Sequence, residues 1–211
     1  MVDLSAYAGK KVRLLFSLVN GPYADVSAGW YIDDVSINVV QVTNTAPYSD
    51  DFENGLGNWW ADNGTWQVGE PQSGPNACYS GSQCAATVLD GNYPNTNSDL
   101  VSPSVTLPTI AADQEIHLRL WHWFSFASDP YGRGIDSGQV QIQEQTAPGV
   151  WSTATLLTRY SGTSGGVWTR PLVDLSAYAG KKVRLLFSLV NGPYADVSAG
   201  WYVDDVEVSV S

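Results

Sequence analysis

One segment of this 211-residue chain occurs twice, at residues 2–40 and again at residues 173–211. The copies are 171 positions apart, and five of the 39 aligned positions differ. That period is too long for a solenoid repeat or a propeller blade and has the size of an independent domain. We therefore predict tandem units. Residues 1–40 would be the C-terminal part of a preceding repeat, residues 41–47 a linker, and residues 48–211 one complete module.

The charge balance restricts the partners of the chain. Ten Lys and Arg oppose 21 Asp and Glu, which gives a formal net charge of −11. Nucleic acid and anionic membranes are poor partners for such a surface. No apolar run approaches the ~20 residues of a membrane span. These features favour a secreted or cell-surface protein, and we expect a bacterial one.

Alternating polarity predicts strands, and helical periodicity is missing. Residues 140–143 place apolar side chains on one face and glutamines on the other, as a strand between core and water does. Residues 116–126 and 183–190 are apolar in both phases. Asn-Gly pairs mark turns between such stretches. The sequence therefore predicts an all-β fold, a sandwich of two antiparallel sheets.

An acidic residue interrupts the apolar phase of the last predicted strand. Strict alternation places Asp204 on the same face as Val206 and Val208. A lone buried carboxylate costs several kcal/mol unless it is paired or bound to a metal. Asp33 holds the same place in the first copy. A cation is the simple candidate that neutralises this carboxylate; an Asp satisfied by backbone amides or hydroxyls at a turn is the alternative.

Three motifs carry a family resemblance. They are YSDDFENGLGNWW from residue 48, SDLVSP from residue 98 and GWYVDDV from residue 200. Together they resemble the MAM-like jelly-roll domains of secreted bacterial proteins, which in turn resemble calcium-stabilised β-sandwich carbohydrate-binding modules. The resemblance implies a jelly roll with a structural Ca²⁺ where the first strand meets the last. Its ligands would be Glu53 and Asp204, with Asp51, Asp90 and Asp205 as weaker candidates and Asp33 in the first copy.

Two cysteines are present, Cys78 and Cys84. Their number is too small for a zinc site without other ligands nearby. In an oxidising compartment two such residues form a small-loop disulfide, which is our expectation here.

Nine tryptophans are many for a chain of this length. Indole faces stack on the C–H faces of sugar rings, whereas in a sandwich they also fill the core. For Trp30 and Trp201 we favour the core. The candidate ligand-binding residues are Trp59, Trp60, Trp121 and Trp123.

No constellation of residues predicts catalysis. Residues 162–166 fit G-x-S-x-G, but a nucleophile elbow needs a strand before it, a helix after it and a histidine downstream. Both histidines, His117 and His122, lie upstream. We expect a non-catalytic extracellular repeat module that acts in adhesion or assembly. The alternative is a carbohydrate-binding module attached to a secreted hydrolase or protease. Expected partners are a glycan or neighbouring repeat units, with oligomers or filaments formed by strand exchange of residues 2–40.

Overall fold

The computed structural model describes residues 2, 4, 7, 9–19, 29–33, 35, 37, 44–62, 64–129, 131, 135–194 and 196–211. Within these residues the chain forms strands and the 3-10 turn Ser176–Tyr178, but no α-helix. The strands are Asn44–Thr45 (β1), Tyr48–Asp50 (β2), Trp60–Asp62 (β3), Gln67–Gly69 (β4), Cys84–Ala86 (β5), Ser98–Val101 (β6), Val105–Thr106 (β7), Ile116–Ser125 (β8), Ser137–Ala147 (β9), Val150–Trp151 (β10), Thr155–Tyr160 (β11), Leu172–Asp174 (β12), Lys182–Val190 (β13) and Gly200–Val210 (β14).

The strands form two sheets of eight and six strands. In the larger sheet, β13 lies between β9 on one side and β6 and β7 on the other. In the smaller sheet, β14 lies between β8 on one side and β2 and β5 on the other. The pairing is antiparallel except between β1 and β7. The predicted all-β sandwich is confirmed.

A single large core fills the space between the sheets. Strand β13 contributes Leu185 and Phe187 to it, and β8 contributes Leu118 and Leu120. Because successive side chains of a strand point to opposite faces, Arg184 and Leu186 of β13 lie on the outer face of the larger sheet. The alternation seen in the sequence is thus a valid guide to the two faces of this sheet.

The two copies of the repeated segment have different environments. The second copy supplies β12, β13 and β14. In the first copy, the described residues form no strand, and Leu15, Phe16 and Trp30 are exposed. Asn44–Thr45 pair with β7, so the described sandwich begins before the expected boundary at residue 48. Residues 41–43 of the expected linker lie outside the described residues.

A β-bulge in β14 corrects the predicted face of Asp204. Asp204 pairs with Trp121, but the next pair is Glu207 with Arg119, so β14 has one extra residue there. Asp205 has a positive φ of 45° at this point. The extra residue exchanges the faces, because the core receives Val203 before the bulge and Val206 after it. The expectation that Asp204 shares the face of Val206 is therefore wrong, since strict alternation does not hold across a bulge.

Candidate functional site

A cleft of about 530 Å³ lies on the outer face of the larger sheet. Its floor is apolar, because Val101 and Leu186 are paired neighbours on β6 and β13 and both are buried. Trp60 pairs with Val101 on one side, and Gln141 pairs with Leu186 on the other. One continuous row of side chains therefore crosses four strands at the bottom of the cleft.

An arginine between two indoles dominates the cleft. The Arg184 guanidinium lies 4.4 Å from the ring centroid of Trp151 and 5.5 Å from that of Trp60. Contacts of this kind stabilise the charge against the ring faces and fix both rings. The Arg184 Nε donates to the Gln143 Oε1 at 2.7 Å, and the Gln143 Nε2 donates to the carbonyl of Ser152 at 2.8 Å. The aromatic walls are therefore held by a network rather than by isolated side chains.

Polar groups complete the cleft. The Gln141 Nε2 donates to the Gln139 Oε1 at 3.0 Å. Asp62 and Asp99 lie opposite each other on β3 and β6. Burial raises the pKa of Asp99, and the neighbouring Asp62 carboxylate raises it further. The cleft thus offers amide donors and acceptors, carboxylate acceptors and a guanidinium beside two indole rings. A flat molecule with apolar faces and a polar edge fits this combination.

The Trp151 indole carries an unused donor. Its Nε1 atom is buried and has no hydrogen-bond partner in the part of the chain that the structure describes. Buried polar atoms are satisfied in most native structures, so such an atom needs an explanation. Because Trp151 lies in the wall of the cleft, a hydrogen-bond acceptor on a bound ligand is a simple explanation.

The four tryptophans predicted to bind a ligand have different placements. Trp60 lines the cleft. Trp59 packs in the core, and its Nε1 donates to the Asp50 Oδ2 at 2.9 Å, so it presents no face to a ligand. Trp123 is buried against Tyr202, with ring centroids 5.5 Å apart. Trp121 is stacked on Tyr79 at 3.7 Å on the other sheet, so one of its faces is covered.

Trp151 and Arg184 are absent from the sequence-based set of site residues. Alternation in β9 does indicate that Gln141 and Gln143 face water. Trp151 belongs to β10, which pairs with β9 through Gln145. An aromatic residue close in sequence to a strand with a polar outer face is therefore the signal that could have pointed to Trp151. Placing Trp151 beside that outer face requires the register of the β9–β10 hairpin, and the composition of the chain does not give this register.

Three of the predicted calcium ligands, Glu53, Asp204 and Asp205, contact the disulfide loop. Cys78 and Cys84 form a disulfide with Cα atoms 5.5 Å apart. The Glu53 Oε1 accepts hydrogen bonds from the backbone N–H groups of Ser82 at 2.8 Å and Gln83 at 2.7 Å. These bonds, with that of Gln83 the strongest, lower the pKa of Glu53.

Asp204 of β14 accepts a hydrogen bond from the same disulfide loop. It is fully buried, its Oδ2 accepts from the Ser80 N–H at 3.0 Å, and its Oδ1 accepts from the Asp205 N–H at 2.8 Å. The Ser80 hydroxyl donates to the Asp205 Oδ1 at 3.1 Å. Burial raises the pKa of Asp204 to about 6, although the hydrogen bonds from the Ser80 and Asp205 N–H groups oppose the shift. Backbone amides and a hydroxyl thus satisfy the carboxylates that the family resemblance assigns to a metal.

The remaining metal candidates lie apart from this pair. Asp51 is exposed, and its Oδ1 accepts from the Glu53 N–H at 3.1 Å. Asp90 and Asp33 are also exposed. Among the described residues, no three acidic, histidine or cysteine side chains come together as a metal group. The arrangement fits a hydrogen-bonded clamp on the loop better than a cation cage, and calcium stays a prediction.

Both histidines have structural partners. His122 is buried in the core beside Trp201, whose Nε1 donates to the His122 Nδ1 at 3.3 Å. Burial lowers the pKa of His122 to about 4. His117 lies within 2.9 Å of Glu115 and within 3.1 Å of the Ser211 hydroxyl. His122 therefore belongs to the core, and His117 is held by Glu115 and Ser211.

Comparison with known proteins gives one substantial sequence match. No family model matches the chain. Bacillopeptidase F of Bacillus subtilis (strain 168) is 33% identical over 196 residues, which cover 87% of this chain but 13% of that protein. The chain therefore spans about an eighth of the length of this relative.

Solved structures with a similar sandwich have low sequence identity. TmCBM61 in complex with β-1,4-galactotriose has a TM-score of 0.48 and 15% identity over 75% of this chain and 92% of its own. A xylan-binding domain from CBM 22 has a TM-score of 0.46 and 14% identity over 78% of this chain and 96% of its own. Across the described part of the chain, no helix has the length and apolar character needed to cross a bilayer.

Proposed function

We propose that the sandwich is a non-catalytic carbohydrate-binding module of a larger secreted hydrolase or protease. The observation that carries this proposal is the cleft in which Trp60 and Trp151 flank Arg184. Indole rings pack on the apolar faces of a pyranose, while amide, carboxylate and guanidinium groups bind its hydroxyls. The adhesion and assembly role expected from the repeat has less support from the described residues.

The polar groups of the cleft are arranged for binding rather than for bond cleavage. Glycosidases place two carboxyl groups on either side of the bond that they break. Asp62 and Asp99 instead lie side by side on paired strands at one wall of the cleft. The guanidinium and amides on the other wall supply no general acid. The proposal is therefore a binding module without an activity of its own.

Two further observations support an extracellular module that belongs to a larger protein. The Cys78–Cys84 disulfide is typical of an extracellular protein. The structural neighbours named above are modules described as binding galactotriose and xylan, and the similar region of Bacillopeptidase F belongs to a much longer chain. An accessory module that holds a larger secreted enzyme on a glycan is consistent with both.

A glycan array followed by calorimetry on each hit tests the proposal. We expect Trp151→Ala to weaken binding about tenfold or more, since a buried aromatic contact is worth more than about 1 kcal/mol. Trp121→Ala is the matched control on the opposite sheet and should leave affinity unchanged. Loss of binding in Trp121→Ala alone would move the site to the smaller sheet. No binding to any glycan would refute the proposal.

Calcium is a second proposal at the disulfide loop, where the expected structural ion would be held by Glu53 and Asp204. Thermal unfolding in calcium and in chelator tests it directly. A metal that binds only the folded state raises the melting temperature with concentration. Equal melting temperatures in both conditions would leave the hydrogen-bonded clamp as the whole explanation of these carboxylates.

A further inference from the structure

The charged side chains of the cleft lie at its two ends. Asp62 and Asp99 pair across β3 and β6, and both line the cleft. Asp99 also pairs with Ser188 of β13, and Arg184 lies four residues before Ser188 on that strand. At about 3.3 Å per residue, the backbone of Arg184 is therefore about 13 Å from the acidic end. Among the described residues, neither carboxylate belongs to an ion pair.

We propose that Asp62 and Asp99, here called the acidic pair, bind a protonated amino group, so that the cleft selects glycans that contain free amino sugars. The inference rests on the proposed function, because it names the class of glycan that the same cleft would take. It adds a charge requirement that the aromatic walls alone do not impose. Neutral, N-acetylated and carboxylated sugars would be bound less tightly than their amino counterparts.

The acidic pair lies far from the positive charge in its own row of paired residues. Ser188 and Gln139 continue the row on β13 and β9 and are uncharged, and Arg159 follows on β11. At about 4.8 Å per strand, Arg159 is about 14 Å from Asp99. Like charges directly opposite each other in an antiparallel sheet are destabilising. An ammonium group carries three donors and a full charge, so it can bridge both carboxylates through charge-assisted hydrogen bonds.

Asp99 is the half-buried member of the acidic pair, and Asp62 is exposed. Burial raises the pKa of Asp99, a hydrogen bond from the Ser188 hydroxyl opposes the rise, and the Asp62 carboxylate adds to it. Burial and the neighbouring carboxylate both disfavour the charged form, so a cation bound between the two carboxylates would relieve both effects. The acidic pair therefore gains more from an ammonium group than two separate, fully solvated carboxylates would.

Trp60 would place a sugar ring beside the acidic pair. Trp60 and Asp62 are two residues apart on β3, so their side chains lie on the same face, about 7 Å apart at the backbone. A pyranose packed on the indole presents its substituents around the ring edge, and one of them can then point to Asp62. The opposite selectivity, for uronic acids, has less support, because Arg184 already contacts two indole rings and donates to Gln143.

Matched sugars and matched variants test the inference. A glycan array presents the amino, N-acetylated and hydroxyl forms of the same oligosaccharide backbones, and calorimetry with the amines protonated compares each set. We expect the amino form to bind about tenfold more tightly, since hydrogen bonds to charged groups are stronger than neutral ones. Asp62→Asn/Asp99→Asn should abolish this difference and keep the affinity for the hydroxyl form. Glu70→Gln/Asp113→Asn removes the same charge at exposed positions outside the cleft and should keep the preference.

Equal binding of the amino and hydroxyl forms overturns the inference and leaves the proposed function in place, as does a preference for uronic acids. The inference also fails if the preference survives in Asp62→Asn/Asp99→Asn, or if Glu70→Gln/Asp113→Asn loses it equally, since the net charge of −11 would then attract the amine. No hit for any glycan refutes the proposed function and the inference together. Should the double variant unfold, Asp62→Asn alone, at an exposed position, must still reduce the preference.

Discussion

Asp204→Asn separates the two explanations of the buried carboxylate beneath the disulfide loop. The carboxylate is fully buried, and its oxygens accept N–H groups of Ser80 and Asp205. Its pKa rises from 3.8 to about 6 on folding because burial disfavours the charged form. Asparagine keeps the size of the side chain and removes the titration. The difference in stability between wild type and variant therefore isolates this group.

The sign and the size of the effect follow from the pKa. A carboxyl whose pKa is raised on folding contributes most below about pH 4 and loses that contribution as pH rises through about 6. Two pKa units correspond to about 3 kcal/mol as an upper bound. Because the neighbouring Ser80 and Asp205 are only partly buried and nearby solvent screens the charge, we expect about 1–2 kcal/mol. The wild type should thus lose stability relative to Asp204→Asn between pH 4 and pH 6.

Urea denaturation of both proteins at half-unit steps from pH 4 to pH 7, in chelator, measures this difference. Parallel profiles would refute the assignment of a raised pKa to Asp204. Repeating the series in calcium tests the metal proposal in the same experiment. A bound cation favours the carboxylate form, so calcium should abolish or reverse the wild-type loss and leave Asp204→Asn unaffected.

Two further substitutions test the packing and the disulfide. Gly138→Ala would place a Cβ 2.7 Å from the Phe126 Cζ and the Trp201 Cε3, and we expect a loss of about 1–3 kcal/mol in urea denaturation; unchanged stability would show that the two rings yield freely. Cys78→Ser/Cys84→Ser opens a short loop, which should cost about 2 kcal/mol through the entropy of the unfolded chain. Wild type measured in reducing agent is the control, and a difference between the two would mean that the serines act by another route.

Local patterns were sufficient to predict the longest strands of the sandwich but not the irregularities that place its polar residues. Alternation identifies β9, and the apolar runs identify β8 and β13, because burial imposes a period of two on any strand with a core face. A bulge breaks that period with a single residue, and nothing in the sequence around Asp205 marks it. The face of Asp204 was therefore predicted incorrectly even though its burial was predicted correctly.

The candidate site likewise depends on strand pairing that the local sequence does not determine. Trp59 and Trp60 were both predicted to bind a ligand, because adjacent residues of a strand face opposite ways and one of the two would be exposed. Which of the two is outside depends on the partner strand. Trp151 and Arg184 meet only through the pairing of β13 with β9 and of β9 with β10. To predict a site that is assembled from several strands, the register between the strands must be known, and residue type alone does not provide it.

The two copies of the repeated segment extend this point from single residues to a whole structural element. Phe16 and Phe187 stand in the same local sequence, yet one is half exposed and the other fully buried. Propensity and alternation are equal in both copies, so they cannot account for the difference. What differs in the described structure is the pairing, because β13 of the second copy lies between β9 and β6 whereas the described residues of the first copy form no strand. The strand structure of this segment is therefore conferred by the sandwich it completes.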